Sequence, residues 1–269
     1  MNAVPKAGSI VSGIILLSLV CSLHAADVSV YAIYKREIYV QTNEATPILK
    51  CCPYVFDAIV ELTSSNSVSS AAVGLSNSAA RPLENGFEAE FLPLRWVSLA
   101  CASFPDQKAL DTAWPDGDYT FSIFGATDGA ITSTLNLPGN DYPAQPPHIK
   151  NFAELQSVDA SRDYTLHWDA FAGGTTNDFC FVLIKKASDE MPVSNTPFIG
   201  EPNALDGTVG EIVIPAGTLV PGEEYDVYVR FDKVVARNTA SYPGVVGHAS
   251  YACGTHVSLK TLSTPVGSR

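Results

Sequence analysis

The chain has 269 residues, of which 46% are hydrophobic and 16% charged, and its formal net charge is −12. That much apolar side chain can fill a core, which argues against disorder, and an acidic surface repels phosphate backbones, which sets nucleic acid aside as a partner. The length fits one large domain or two ordinary ones.

In residues 1–26, Lys6 and the amino terminus precede the apolar run Ile10 to Leu23, and the small residues Ala25 and Ala26 come before Asp27. That order is the layout of a cleavable secretory signal. The run is about 14 residues, short of the ~20 that span a bilayer, which disfavours an uncleaved anchor. A lipid on Cys21 is a third reading, opposed by bulky Val20 where such cleavage sites prefer a small residue. No second long apolar run occurs, so no transmembrane segment is expected after signal removal.

From Val28 onward the apolar residues recur with period two. Val28, Val30, Ala32 and Tyr34 alternate, as do Tyr54, Phe56, Ala58, Val60 and Leu62, then Phe87, Ala89 and Phe91, then Tyr119, Phe121 and Ile123, then Leu135 and Leu137. One wet face and one dry face read this way, the habit of antiparallel sheets. Asn85-Gly86, Asp116-Gly117 and Asp128-Gly129 supply turns between the strands. Asp106 to Trp114 is the one helical stretch of this half, capped by Asp106 and stopped by Pro115.

Prolines and glycines crowd Leu137 to Asn151, which reads as a stiff linker centred on residues 143–149. Alternation resumes at Leu166 and Trp168 and returns at Ile212 and Ile214, at Tyr225 to Phe231 and at His256 to Leu262, while the continuous apolar run Asp178 to Lys185 reads as a central strand. The intervening residues 188–210 and 232–250 read as surface loops. The expectation is an all-β chain of two tandem β-sandwiches, residues 27–142 and 150–265, behind the signal.

Two phrases of the sequence carry that reading further. LVPGEEYDVYVRF (Leu219 to Phe231) and WPDGDYTFSIF (Trp114 to Phe124) both place a Pro/Gly turn just before a Tyr and an alternating strand. In immunoglobulin-like sandwiches a Tyr at that point turns its ring into the core and bonds its hydroxyl back to the crossing between sheets. Tyr119 and Tyr225 are the candidates. With Trp168 in LHW, the strand DFCFVLIK after Gly173 and Gly174, and the Leu219-to-Val229 corner, the second half resembles a fibronectin type III domain. The departure is the long Cys-bearing segment between Phe231 and Leu262. The first half looks like a more divergent immunoglobulin-like sandwich of exported bacterial proteins. The resemblance implies no catalytic residues.

With Cys21 removed, Cys51, Cys52, Cys101, Cys180 and Cys253 remain, an odd number that leaves a thiol free or paired between chains. A bond between the neighbours Cys51 and Cys52 is strained, so one of them with Cys101, and Cys180 with Cys253, are the expected pairs; the sequence does not settle them. His248, Cys253 and His256 are the one cluster that could hold a metal or a nucleophile and base, and they lack an obvious further ligand or orienting partner. Asp111, Asp116, Asp118 and Asp128, with Asn140 and Asp141, are oxygen-rich but lack regular calcium-loop spacing. Trp96, Trp114, Tyr228, Tyr242 and Tyr251 are candidates for sugar stacking, against core roles for most aromatics. The expected role is therefore non-catalytic, with no cofactor or metal. It is structural, adhesive or binding, at a cell surface or outside the cell, toward a protein or glycan. A carbohydrate-binding accessory and an enzyme built on His248, Cys253 and His256 are the alternatives.

Overall fold

The computed structural model describes residues 26–75, 78–85, 95–99 and 103–263. The first half contains β1 (Val28–Gln41), β2 (Ile48–Leu62), β3 (Val68–Leu75), β4 (Arg81–Asn85), β5 (Arg95–Ser98), β6 (Ser103–Phe104), α1 (Gln107–Ala113), β7 (Gly117–Gly125) and β8 (Gly129–Leu137). The second contains α2 (Phe152–Leu155), β9 (Tyr164–His167), β10 (Phe179–Lys186), β11 (Pro192–Asn195), β12 (Leu205–Asp206), β13 (Glu211–Ile214), β14 (Glu224–Asn238) and β15 (Val246–Lys260). The protein is all-β, with its strands arranged as a sandwich. The period-two segment at Phe87, Ala89 and Phe91 lies outside the described residues.

The stretches expected as separate sandwiches meet in one sheet, ordered β11-β10-β14-β15-β1-β2-β5-β4-β3-β7-β8. The joint is a parallel pairing of β1 with β15 that runs from Val30 opposite Val246 to Gln41 opposite Val257. Four strands make this centre, and they have 14 or 15 residues each, far longer than the usual ~5–6. They are long because each serves two environments along its length.

β14 and β15 show this directly. Val227, Val229 and Phe231, with Val257 and Leu259, fill a core under β9 and β13 together with Trp168. Further along the same hairpin Ala249 and Tyr251, with Tyr242 and Val245 of the turn, fill the core of the first half beside Tyr31, Phe56 and Phe121. A third cluster lies on the opposite face of the central sheet and joins Val30 and Ile38 of β1 to Phe181, Leu183 and Tyr228. The loop expectation for 232–250 is overturned, since only Thr239 to Val245 connect β14 to β15. Residues 188–210 are likewise not a plain surface loop, because Phe198 and Ile199 are buried in that third cluster.

The proline-rich connection is pinned at several points. Gln41 of β1 holds both backbone groups of Ile149, accepting from its N–H at 2.8 Å and donating to its carbonyl at 2.9 Å. The Gly139 N–H donates to the Tyr251 hydroxyl, and the Cys253 thiol lies against the Pro143 carbonyl. Among the described residues no helix is long and apolar enough to cross a membrane.

Candidate functional site

A cleft of about 440 Å³ lies over the central sheet where the two halves join. Its floor is the face of β1 and β14 that carries Tyr34, Arg36, Ile38, Tyr228 and Arg230. Strict alternation puts these residues on the side opposite Ile33, Val227 and Val229, so one strand can fill a core and line a cleft at once.

Arg230 is the centre of the floor, with only 7% of its side chain exposed. Its Nε donates to Asp232 Oδ2 at 2.8 Å. Its guanidinium sits 4.7 Å from the Tyr34 ring centre and 5.1 Å from that of Phe181, where the ring faces attract a cation. Nη2 of Arg230 and Oδ1 of Asp232 have no hydrogen-bond partner among the described residues. Burial pushes the Asp232 carboxyl up against the opposing pull of Arg230. Tyr34, also raised by burial, shares a hydrogen bond of 2.9 Å with His248 Nε2. Burial drives the His248 imidazole down to about 3, so it is neutral at ordinary pH.

Around the floor stand an ion pair of Arg36 with Asp57 and a bond from Arg36 Nη1 to the Tyr228 hydroxyl at 3.3 Å. His256 Nδ1 meets Asp226 at 2.8 Å, and its ring lies 4.6 Å from that of Tyr228. The Tyr228 ring lies directly over Gly254 of β15, where a Cβ would overlap it. Glycine in a strand interior is unfavourable, and here it creates the space that seats a floor residue. Cys51 and Cys52 stand exposed at the rim, with sulfurs 3.8 Å apart and Cys52 at φ 53°.

The residues singled out from sequence fall into different places. Tyr119 is buried and its hydroxyl donates to the Pro115 carbonyl at 2.6 Å. Tyr225 is buried and its oxygen accepts from the Val220 N–H at 2.7 Å. Trp168 is 2% exposed, with its indole N–H on the Val209 carbonyl. His248, Cys253 and His256 do not converge. They lie along the extended β15, so the two histidines are about 26 Å apart at ~3.3 Å per residue, and Cys253 faces the other side. The enzyme alternative built on them loses its geometry.

The expected Cys180–Cys253 bridge is also absent. Both are free thiols, and each lies opposite Phe231 on its own side of β14. Two strand spacings, about 9.6 Å, exceed the ~7 Å a disulfide can span. Cys101 lies outside the described residues, and so does any bond it makes. The acidic group is divided among separate partners, two of its members around a lysine. Lys35, with a fully buried side chain, places its ammonium 2.6 Å from both Asp111 and Asp116. Asn140 donates to Asp111, Asn136 to Asp118, Tyr242 to Asp128, and Lys233 pairs with Asp141. Among the described residues no three His, Cys, Asp or Glu side chains gather as metal ligands. Trp114, Tyr228, Tyr242 and Tyr251 are all buried, Trp114 stacked 4.2 Å from Phe56, so they form no exposed sugar platform. The ring of Trp96 is outside the described part.

Sequence reasoning missed Arg230, Asp232 and Lys35 as buried groups. Arg230 lies between Val229 and Phe231 as an exposed polar residue would, Lys35 and Asp232 each have a second charged residue beside them, and no local signal marks the layers that cover the three.

No family model matches the chain, and no curated protein matches it. Among solved structures it is similar to the FN1-FN3 domains of chicken CNTN1, at 12% identity and a TM-score of 0.23, covering 76% of this chain and 62% of that one. A cytokine receptor complex matches at 12% identity and a TM-score of 0.24, covering 77% of this chain and 93% of that one. The BSP domain of a biofilm-associated protein matches at 12% identity and a TM-score of 0.21, covering 78% of this chain and 28% of that one. At these values the likeness extends to no individual residue or role.

Proposed function

We propose that this is an exported, non-catalytic binding protein that acts at a cell surface or outside the cell and engages its partner through the cleft at the joint. The carrying observation is that the cleft floor stands on β1 and β14, strands that also fill the cores on their other face. A floor of that kind is held rigid, which lowers the entropic cost of binding. The amino-terminal layout of residues 1–26 supports export, and the exposed Cys51 and Cys52 offer a route to an intermolecular disulfide.

The rim cysteines provide the test. Purified protein is screened against peptide and glycan arrays before and after its exposed thiols carry a bulky maleimide. Saturable binding that the label abolishes, and that a Cys51→Ser/Cys52→Ser variant retains under the same treatment, is the expected outcome. Binding indifferent to the label, or turnover of a bound compound, overturns the reading.

A further inference from the structure

The charge of the cleft is opposite to that of the chain. Four cationic side chains line it (Arg36, Lys50, Lys185 and Arg230) against Asp57, Asp226 and the Asp232 bonded to Arg230, so cations outnumber carboxylates in a protein whose formal net charge is −12. Cations gathered in a concave site with low-dielectric walls focus an attractive field on an incoming anion. A protein this acidic is otherwise a poor host for one.

The floor adds direction to that field. Arg230 is buried between two aromatic rings, with one nitrogen committed to Asp232 and Nη2 uncommitted. A flat guanidinium held by ring faces and one carboxylate has its orientation fixed, and its Nη2 is left to donate to an anionic oxygen. The Arg36 fork stands on the same face, steadied by Asp57 and Tyr228. The walls are apolar: Val55, Phe181, Leu183 and Phe198. The matching ligand therefore carries a carboxylate next to an apolar side chain. Peptides combine the two within neighbouring residues, whereas acidic sugars present their carboxylates among hydroxyls. The volume lies in the range of pockets that enclose small ligands.

We propose that the cleft recognises a short acidic peptide segment, a carboxylate flanked by an apolar residue, with Arg230 and Arg36 at the floor and Lys50 and Lys185 at the rim. This rests on the reading of the cleft as the binding site. The rim lysines steer the ligand in, and the buried arginine supplies the contact that an uncharged analogue cannot make.

The experiment uses the whole chain and dye-labelled synthetic probes read by fluorescence polarisation: an Asp-Phe-Asp peptide, its Asn-Phe-Asn counterpart, an oligogalacturonate and a neutral oligosaccharide. The acidic peptide is expected to bind at least tenfold more tightly than the amide peptide and both sugars. Affinity should fall with added salt, and by at least tenfold in Lys50→Gln/Lys185→Gln. Those two changes are near the surface, so an unchanged melting temperature separates lost binding from lost fold. Arg230→Gln is the deeper variant and should remove the preference for Asp over Asn. Equal affinity for the two peptides overturns the carboxylate, and tighter oligogalacturonate binding overturns the peptide. If a neutral probe binds and the maleimide label displaces it, this inference fails while the binding reading stands. If no probe binds, the inference fails, and the arrays decide the reading by themselves.

Discussion

Removing the charges around Lys35 tests how the first core is held. The Lys35 side chain is 0% exposed, whereas Asp111 and Asp116, each 2.6 Å from its ammonium, keep 28% and 31% of their side-chain exposure. The two ends of the contact therefore respond differently to its loss. In Asp111→Asn/Asp116→Asn the shape and one acceptor oxygen at each position remain; at position 116 the same Oδ1 serves Lys35 and Tyr251, whereas at position 111 the oxygen that accepts from the exposed Asn140 is lost. The ammonium is then buried with no counter-charge, and such a change costs about 3–5 kcal/mol. In Lys35→Met the apolar stem is preserved and the two carboxylates can turn to water, so the loss is about 1–2 kcal/mol. At ~2–4 °C per kcal/mol for a chain of this size, the double variant should melt roughly 6–20 °C lower and Lys35→Met about 2–8 °C lower. The triple variant strands no charge and should recover most of the double variant's loss, a coupling that a mutant cycle measures directly. Thermal and urea unfolding followed by circular dichroism give the numbers. If Lys35→Met proves at least as damaging as the double variant, or the triple recovers nothing, then burial of the ammonium is not what makes this contact matter.

Three further outcomes are expected. Burial raises the Glu61 carboxyl from 4.5 to about 7, so its contribution is full below pH ~4.5 and is lost as pH rises through about 7. The depressed His248 works the other way, with full stability above pH ~6.5 and loss as pH falls toward about 3. Between about pH 4.5 and 6.5 these two contributions therefore oppose one another. Glu61→Gln should uncover the His248 slope and remove an alkaline loss on the order of 3 kcal/mol; parallel profiles for the two proteins would contradict this. Gly254→Ala should push the Tyr228 ring from its seat and abolish acidic-peptide binding, with a loss of stability of about 1–3 kcal/mol from overpacking; unchanged binding would count against the ring as part of the floor. Brief alkylation of the native protein should mark Cys51 and Cys52 but spare Cys180 and Cys253, whose thiols are buried and pushed up by that burial. Peptide mapping reads this, and modification of Cys253 at the rate of Cys51 would refute its placement.

Much of the local structure was legible in the sequence because its causes are local. Period-two alternation placed Tyr54 to Leu62 and Tyr225 to Phe231 in strands, and Asp106 caps α1 by accepting from the Ala109 N–H, as its position before a short helical run suggested. The turn residues before Tyr119 and Tyr225 likewise stand beside phenols that bond back to them. The cleft was not legible. Arg230 and Asp232 alternate with Val229 and Phe231 as solvent-facing residues do, and they are buried only because Phe181 and the layer with Phe198 lie on the same face. Gly247 fell in the stretch read as a loop and Gly254 outside the expected strands, yet both lie within β15 and each makes room for a tyrosine ring from elsewhere in the sheet.

By itself the sequence determined an all-β chain, which side chains share a strand face, its corner tyrosines and an acidic surface, since each follows from side chains a few positions apart; that β1 and β14 are buried on both faces, against the expectation of one wet face, came from the layers around them. Only the tertiary structure decided that β1 lies parallel to β15, and with it the joint, the cleft and the fate of the Lys35 charge. That pairing joins backbones more than two hundred residues apart in register. Backbone hydrogen bonds are the same for every residue type, so no pattern along the chain announces which distant strand will satisfy them.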